Sequence, residues 1–204
     1  EINNQADLTF SRKTDHSLIE ITVFASYLQD YISSTIDAEL SPRLPMSPGV
    51  RRFDNLDEAF KTGVEIHWRQ KLIAGLQHNF AAAYTYGENL DNNQPLPEIA
   101  PFDFRYRLTG SYLNNKLNPE LSVRHVLAQD RIAEAYGETE TPSFTLVNAK
   151  ISYRFHRIMK FSIGANNLFN VAYYEHLSRS VRGTPDPIYA PGRNLYVSLG
   201  IDLD

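Results

Sequence analysis

The stretch YYEHLSR, Tyr173 to Arg179, sets two phenols, a carboxylate and an imidazole side by side at Tyr173, Tyr174, Glu175 and His176. Imidazole and carboxylate are both zinc ligands, so His176 beside Glu175 is a candidate metal ligand. The competing reading is a solvated histidine in a surface loop, the commoner fate of such residues. Two arginine pairs offer different chemistry: Arg51 and Arg52 in GVRRFDN, and Arg179 and Arg182 in SRSVRG. Guanidinium forks match carboxylate and phosphate groups, which suits an anionic ligand. Loop solubility and contacts to surrounding phosphate groups would explain the same residues. Asp91, Asn92 and Asn93 carry oxygens that could hold Ca²⁺, but their spacing is that of an ordinary polar turn.

Catalytic signatures are missing. The sequence has no H-E-x-x-H, no G-x-S-x-G, no phosphate loop and no EF-hand spacing. Ser122 and His125 fall on one strand but on opposite faces, so they cannot form a nucleophile and base dyad. No enzymatic activity and no resident cofactor are expected. The chain contains no Cys, which removes disulfides and thiolate metal sites together. Its formal charge is -4 with Lys and Arg scattered, leaving no basic footprint for nucleic acid.

The elements that must position these side chains read as β-strands. Aromatic residues are abundant, with 12 Tyr and 11 Phe in 204 residues, and these types suit a pleated, half-buried surface. LYVSLGIDL places Leu195, Val197, Leu199, Ile201 and Leu203 on one face and Tyr196, Ser198, Gly200 and Asp202 on the other. TLVNAKISYRF repeats the alternation, with Val147, Ala149, Ile151, Tyr153 and Phe155 against Asn148, Lys150, Ser152 and Arg154. IEITVFASY, TGVEIHW, HNFAAAYTY, FDFRYRLTGSY and FSIGA follow the pattern, and ADLTF and LSVRHVL follow it more weakly, giving about nine strands.

The connections sort by length. Short polar turns are expected near Lys13 to His16, Arg69 to Leu72, Asn114 to Asn118 and His156 to Met159. Long irregular segments are expected near Ser34 to Leu56, Glu88 to Pro101, Arg131 to Pro142 and Val171 to Gly192. Strict alternation of short and long connections is the mark of an outer-membrane barrel, with short periplasmic turns and long external loops. No apolar run exceeds FAAAY, Phe80 to Tyr84, so no helix crosses a bilayer, whereas strands of about 9 to 11 residues can. EINNQADLTF has no export-signal pattern, and any signal is expected to lie outside the chain. One region, residues 1–204, is expected without an internal domain boundary.

Several motifs in succession resemble the C-terminal barrel portion of TonB-dependent outer-membrane receptors. ANNLFNVAYY, Ala165 to Tyr174, looks like that family's late N-N-L-F-x-x-x-Y signature, and APGRNLYVSLGIDL, Ala190 to Leu203, looks like its closing strand. PLPEIAPFDFRYRLTGSY resembles its proline-rich external loop running into a strand, and GVEIHW resembles its G-x-E strand opening. The resemblance implies an all-β, antiparallel transmembrane barrel in the bacterial outer membrane, of which this chain supplies about nine of 22 strands. An odd count agrees with that expectation, because single-chain bacterial barrels have even strand numbers. Family barrels close on an aromatic residue, whereas this sequence closes IDLD.

On the same resemblance, an N-terminal plug domain fills the barrel, external loops capture a scarce nutrient, and the TonB inner-membrane complex drives its release. The substrate class implied is an iron chelate or another metal, and YYEHLSR is similar to stretches in metal-uptake members. Substrate contacts are then expected from Arg51, Arg52, Tyr173, Tyr174, Glu175, His176, Arg179 and Arg182. Plug contacts are expected from the lumen-facing Glu65, Arg69, Asn148, Lys150 and Arg154. Tyr27, Trp68, Tyr84, Tyr86, Tyr106, Tyr112 and Tyr153 read as the aromatic girdles at the lipid interfaces. A passive porin would share the fold, and a soluble ligand-binding β-barrel would instead fold in water without detergent.

Overall fold

The computed structural model describes residues 1–37, 39–42, 49–178 and 186–201. Alternating sequence becomes one antiparallel sheet. Its strands are β1 (Ile2–Lys13), β2 (Ser17–Asp37), β3 (Val50–Lys71), β4 (Leu76–Asn89), β5 (Gln94–Pro95), β6 (Asp103–Gly110), β7 (Leu117–Val126), β8 (Phe144–His156), β9 (Met159–Asn166) and β10 (Asn194–Ile201). Nine long strands follow one another in the order β1-β2-β3-β4-β6-β7-β8-β9-β10, and the two-residue β5 pairs with β4. Among the described residues, β1 and β10 do not pair with each other, so the sheet is open, as a segment of a barrel is.

Register carries the apolar pattern from strand to strand. Leu8 faces Val23, Val23 faces Val64 and Val64 faces Tyr84. Phe80 faces Tyr106, Tyr106 faces Val123 and Val123 faces Val147. Ile151 faces Ile163, which faces Val197. Because side chains alternate with period two, these pairings put the named apolar positions on the same wall. That wall has no core against it: Leu8 is 75% exposed, Leu195 72% and Val197 64%. A contiguous apolar surface of this size marks an interaction surface, and a band on the outside of a barrel faces lipid.

Polar residues line the opposite wall. Two glycines there make room for aromatic rings: a Cβ on Gly63 would lie 2.5 Å from the Phe24 ring, and one on Gly164 would lie 2.5 Å from Tyr196. Near the long-loop end this polar wall turns apolar, because two connections fold across it. Leu96 and Ile99, between β5 and β6, bury against Leu28 and Ala59. Val171 and Tyr173, beyond β9, pack on Val126, Phe144 and Leu146.

Two expected boundaries move. Both ends of the segment expected as a long loop from Ser34 to Leu56 are strand, since β2 and β3 stay paired from Asp37↔Val50 to Ser17↔Gln70. Polar residues here form a ladder because each strand satisfies the other's backbone, which composition does not reveal. The turn expected at Arg69 to Leu72 lies further on, where Ala74 (φ 57°) and Gly75 (φ 72°) supply two consecutive left-handed residues.

Candidate functional site

At the long-loop end four segments converge on a cavity of about 620 Å³. Arg51 comes from the start of β3, Glu98 from the connection before β6, Tyr136 to Thr141 from the connection between β7 and β8, and Tyr174 to Ser178 from the connection after β9. The polar wall below carries a second concavity of about 540 Å³, lined by residues including Glu20, His67, Arg69, Asn79, Arg105, Arg107, Ser122, Arg124 and Asn148.

The last connection is shaped by its asparagines. Asn167 is buried, with φ 49°, and its amide closes a turn on itself: its oxygen accepts from the Val171 N–H at 2.8 Å, and its Nδ2 donates to the Val171 carbonyl at 2.8 Å. Its backbone N–H donates to Asn148 Oδ1 on β8 at 2.8 Å. Asn170 Oδ1 accepts from the Arg193 N–H at 2.8 Å, and a Cβ on Gly192 would come within 2.7 Å of that oxygen. The Asn pairs and the Pro-Gly-Arg segment are therefore local fasteners that deliver Tyr173 to His176 to the polar wall.

Two charge nodes hold those residues there. Arg124, on β7, reaches Glu175 with Nη1 to Oε1 at 2.5 Å and Nη2 to Oε2 at 3.0 Å, and on its other side reaches Asp103 at 2.8 Å. Such a bidentate pair is directional as well as charged. Glu138 forms the second node: it accepts from the Glu98 N–H at 2.6 Å and the Ala133 N–H at 2.9 Å, and lies 3.7 Å from His176 Nε2. Burial pushes the Glu138 carboxyl up, but His176 and these two amides outweigh it and hold it below the usual glutamate value. Burial and the Glu98 carboxylate, which accepts from the Tyr136 hydroxyl at 2.9 Å, push the Tyr136 phenol up.

Of the residues expected to touch substrate, Arg51, Tyr174, Glu175 and His176 line the one cavity. Arg51 donates to Ser34 Oγ at 2.7 Å and stacks 4.2 Å from the Tyr136 ring centroid. His176 is enclosed, with its side chain 3% exposed and Nδ1 3.3 Å from Thr141 Oγ1, which rules out the solvated-loop reading. Tyr173 does not line the cavity and packs with its ring centroid 4.6 Å from that of Phe144. Arg52 points away from Arg51 and pairs with Asp37 at 3.3 Å. Arg179 and Arg182 fall outside the described residues.

The lumen-facing set keeps its wall: Glu65 faces Thr22, Arg69 faces Asn79, Asn148 faces Ser122, and Lys150 faces Glu120. Arg154 faces Lys160 and donates to the Arg157 carbonyl at 2.9 Å. His125 bonds Thr145 on the apolar wall, opposite to Ser122. Of the expected girdle, Tyr86 differs, because the Arg131 guanidinium covers its ring at 3.8 Å. Arg124, Glu98, Tyr136 and Glu138 were not singled out by sequence. Only Arg124 left a trace, as the charge on the polar side of LSVRHVL.

A family model described as TonB dependent receptor-like, beta-barrel, matches residues 1–168. The chain belongs to the TonB-dependent receptors. Among solved structures it is similar to the copper transporter OprC, with TM-score 0.86 and 22% identity over 98% of this chain and 31% of that one. It is also similar to the ferric yersiniabactin uptake receptor FyuA from Yersinia pestis, with TM-score 0.73 and 14% identity over 99% of this chain and 30% of that one. The ferric enterobactin receptor PfeA from Pseudomonas aeruginosa, as a G324V mutant, gives 0.71 and 17% over 98% and 31%. This TonB-dependent receptor chain thus spans about a third of the structures it resembles. Comparison with curated protein sequences found no match.

Proposed function

We propose that this chain is the C-terminal barrel wall of an outer-membrane receptor that takes up a metal chelate, energised through TonB. The observation that carries the reading is the rim cavity, built from three connections and the start of β3 above a wall whose opposite face is apolar. Arg51, Tyr174, Glu175 and His176 belong to that capture site; Arg52 and Tyr173 beside it, and Arg179 and Arg182 outside the described residues, are its further proposed contacts. Glu65, Arg69, Asn148, Lys150 and Arg154 face a plug domain contributed by the same receptor, and the apolar wall faces lipid and lipopolysaccharide.

The state of the charged groups favours an organic envelope over a bare ion. Glu138 and Glu175 are saturated by amides, His176 and Arg124, and Glu98 accepts from Tyr136. No group of three or more metal-ligating side chains occurs among the described residues. What the cavity offers is aromatic rings, Thr and Ser hydroxyls and the Arg51 guanidinium, which suit the faces and edges of a chelate. His176 as a direct metal ligand would require it to leave Thr141 and Glu138.

A passive porin is the less favoured reading, because the connections fold across the polar wall instead of leaving it open. Deleting the intact gene and comparing growth under iron, zinc and copper limitation tests the proposal. A defect in one of them relieved by the gene on a plasmid is expected; equal growth in all three would overturn it.

A further inference from the structure

The polar wall carries the opposite charge to the chain as a whole. Over the full sequence 24 acidic residues outweigh 20 Lys and Arg, for a formal charge of -4. On the wall the balance reverses. Arg69, Arg105, Arg107 and Arg124 line the groove of about 540 Å³, where Glu20 is the one lining carboxylate among the described residues. Lys71, Lys150 and Lys160 line a neighbouring groove of about 600 Å³ nearer the short turns, together with Glu120. Internal pairing leaves a surplus of cations. Asp103 serves both Arg105 and Arg124 at 2.8 Å, Glu175 adds to Arg124, and Glu120 lies 3.6 Å from Arg107. Among the described residues, Arg69, Lys71, Lys150 and Lys160 pair with no carboxylate.

Register spreads these cations instead of gathering them. One row runs Arg69↔Asn79↔Arg107↔Ser122↔Asn148 and the next Lys71↔Gln77↔Thr109↔Glu120↔Lys150, so uncharged side chains or a single Glu stand between successive cations. From β3 to β9 the basic face crosses six strands, about 24 Å at the usual strand spacing. A small anion is held by converging donors, which cations this far apart do not supply. A protein surface spans such a width. Uncompensated like charges on one face repel, and an acidic partner removes that cost. From this charge pattern we infer that the surface seated on the polar wall is an acidic face of the receptor's own plug domain, with carboxylates opposite Arg69, Lys71, Lys150 and Lys160. The inference rests on the proposed plug-facing role of this wall and adds the chemistry of the surface that meets it. Lys71 and Lys160 thereby join Arg69 and Lys150 as plug contacts.

The test uses the complete receptor, purified in detergent and treated with a water-soluble carbodiimide. The reagent activates a carboxylate, a lysine amine in contact with it forms an amide, and the carbodiimide leaves as a urea carrying the water lost. Mass spectrometry of the digested receptor then reads which carboxylates touch the wall. Amides are expected from Lys71, Lys150 and Lys160 to Asp or Glu residues of the same receptor outside residues 1–204. Lys150→Arg keeps the charge and removes the amine, so it is expected to lose the amides at position 150 and retain those at Lys71 and Lys160. Amides from these lysines only to carboxylates within residues 1–204, such as Glu120, or to another protein, would overturn the acidic plug face. So would their absence in a sample that forms amides elsewhere. Because the reaction needs no substrate, the expected amides in a receptor whose deletion causes no growth defect would leave the acidic face standing and remove the uptake reading.

Discussion

Strand β10 and the connection that precedes it meet at Asn194, yet they hold their residues in place by different means. Along β10 the backbone ladder to β9 fixes everything: Leu195, Val197 and Leu199 face one way because Tyr196 and Ser198 face the other. In the described part of the connection no strand forms, and position depends on side chains from distant parts of the chain, Asn148, Arg124 and Glu138 among them. The ladder tolerates many residues of the right polarity, whereas the connection depends on individual ones. The apolar wall and the rim cavity are built in those two different ways.

Charge on the apolar wall should break this contrast most severely. Val197→Arg is expected to cost about 2 to 4 kcal/mol at mid-bilayer, and Ser198→Arg on the polar wall much less. Urea midpoints of the complete receptor in lipid vesicles check it, and equal losses would mean that the two walls are assigned wrongly. Next in size is Gly63→Val, since its Cβ would meet the Phe24 ring and the Tyr84 carbonyl at 2.5 Å; overpacking of this kind costs about 1 to 3 kcal/mol, read from the same midpoints.

Asn167→Ala should sharpen the contrast from the loop side. It removes both side-chain bonds to Val171, about 1 to 3 kcal/mol of local order, and leaves the ladder of β9 and β10 intact. Faster proteolysis after Tyr173 with an unchanged urea midpoint is the expected pattern. The smallest effect concerns Glu138, whose carboxyl is held below its ordinary value of 4.5. A lowered carboxyl stabilises the fold fully above that ordinary value and loses its contribution as pH falls through the lowered one. Protease resistance of the connections should therefore drop at acid pH, and Glu138→Gln should flatten that dependence.

The same contrast explains what could be read in advance. Alternation in LYVSLGIDL or TLVNAKISYRF is a local property with period two, so strand number, wall assignment and the sorting of connections were all legible from the sequence. The rim was legible only where chemistry clustered along the chain, as in YYEH. Glu98, Tyr136 and Glu138 come together across 38 and 40 residues of sequence separation, and no periodicity announces such a meeting. The overlong β2 and β3 were hidden for the same reason: RRFDN looks like a loop until its partner strand supplies the hydrogen bonds.

The most direct measurement is accumulation of an isotopically labelled metal chelate by cells carrying the intact gene, by cells deleted for it, and by the first strain with its proton-motive force collapsed. The account predicts accumulation only in the first condition. Equal accumulation with and without the gene would contradict the receptor assignment, and gene-dependent accumulation that survives collapse of the proton-motive force would make the barrel a passive pore.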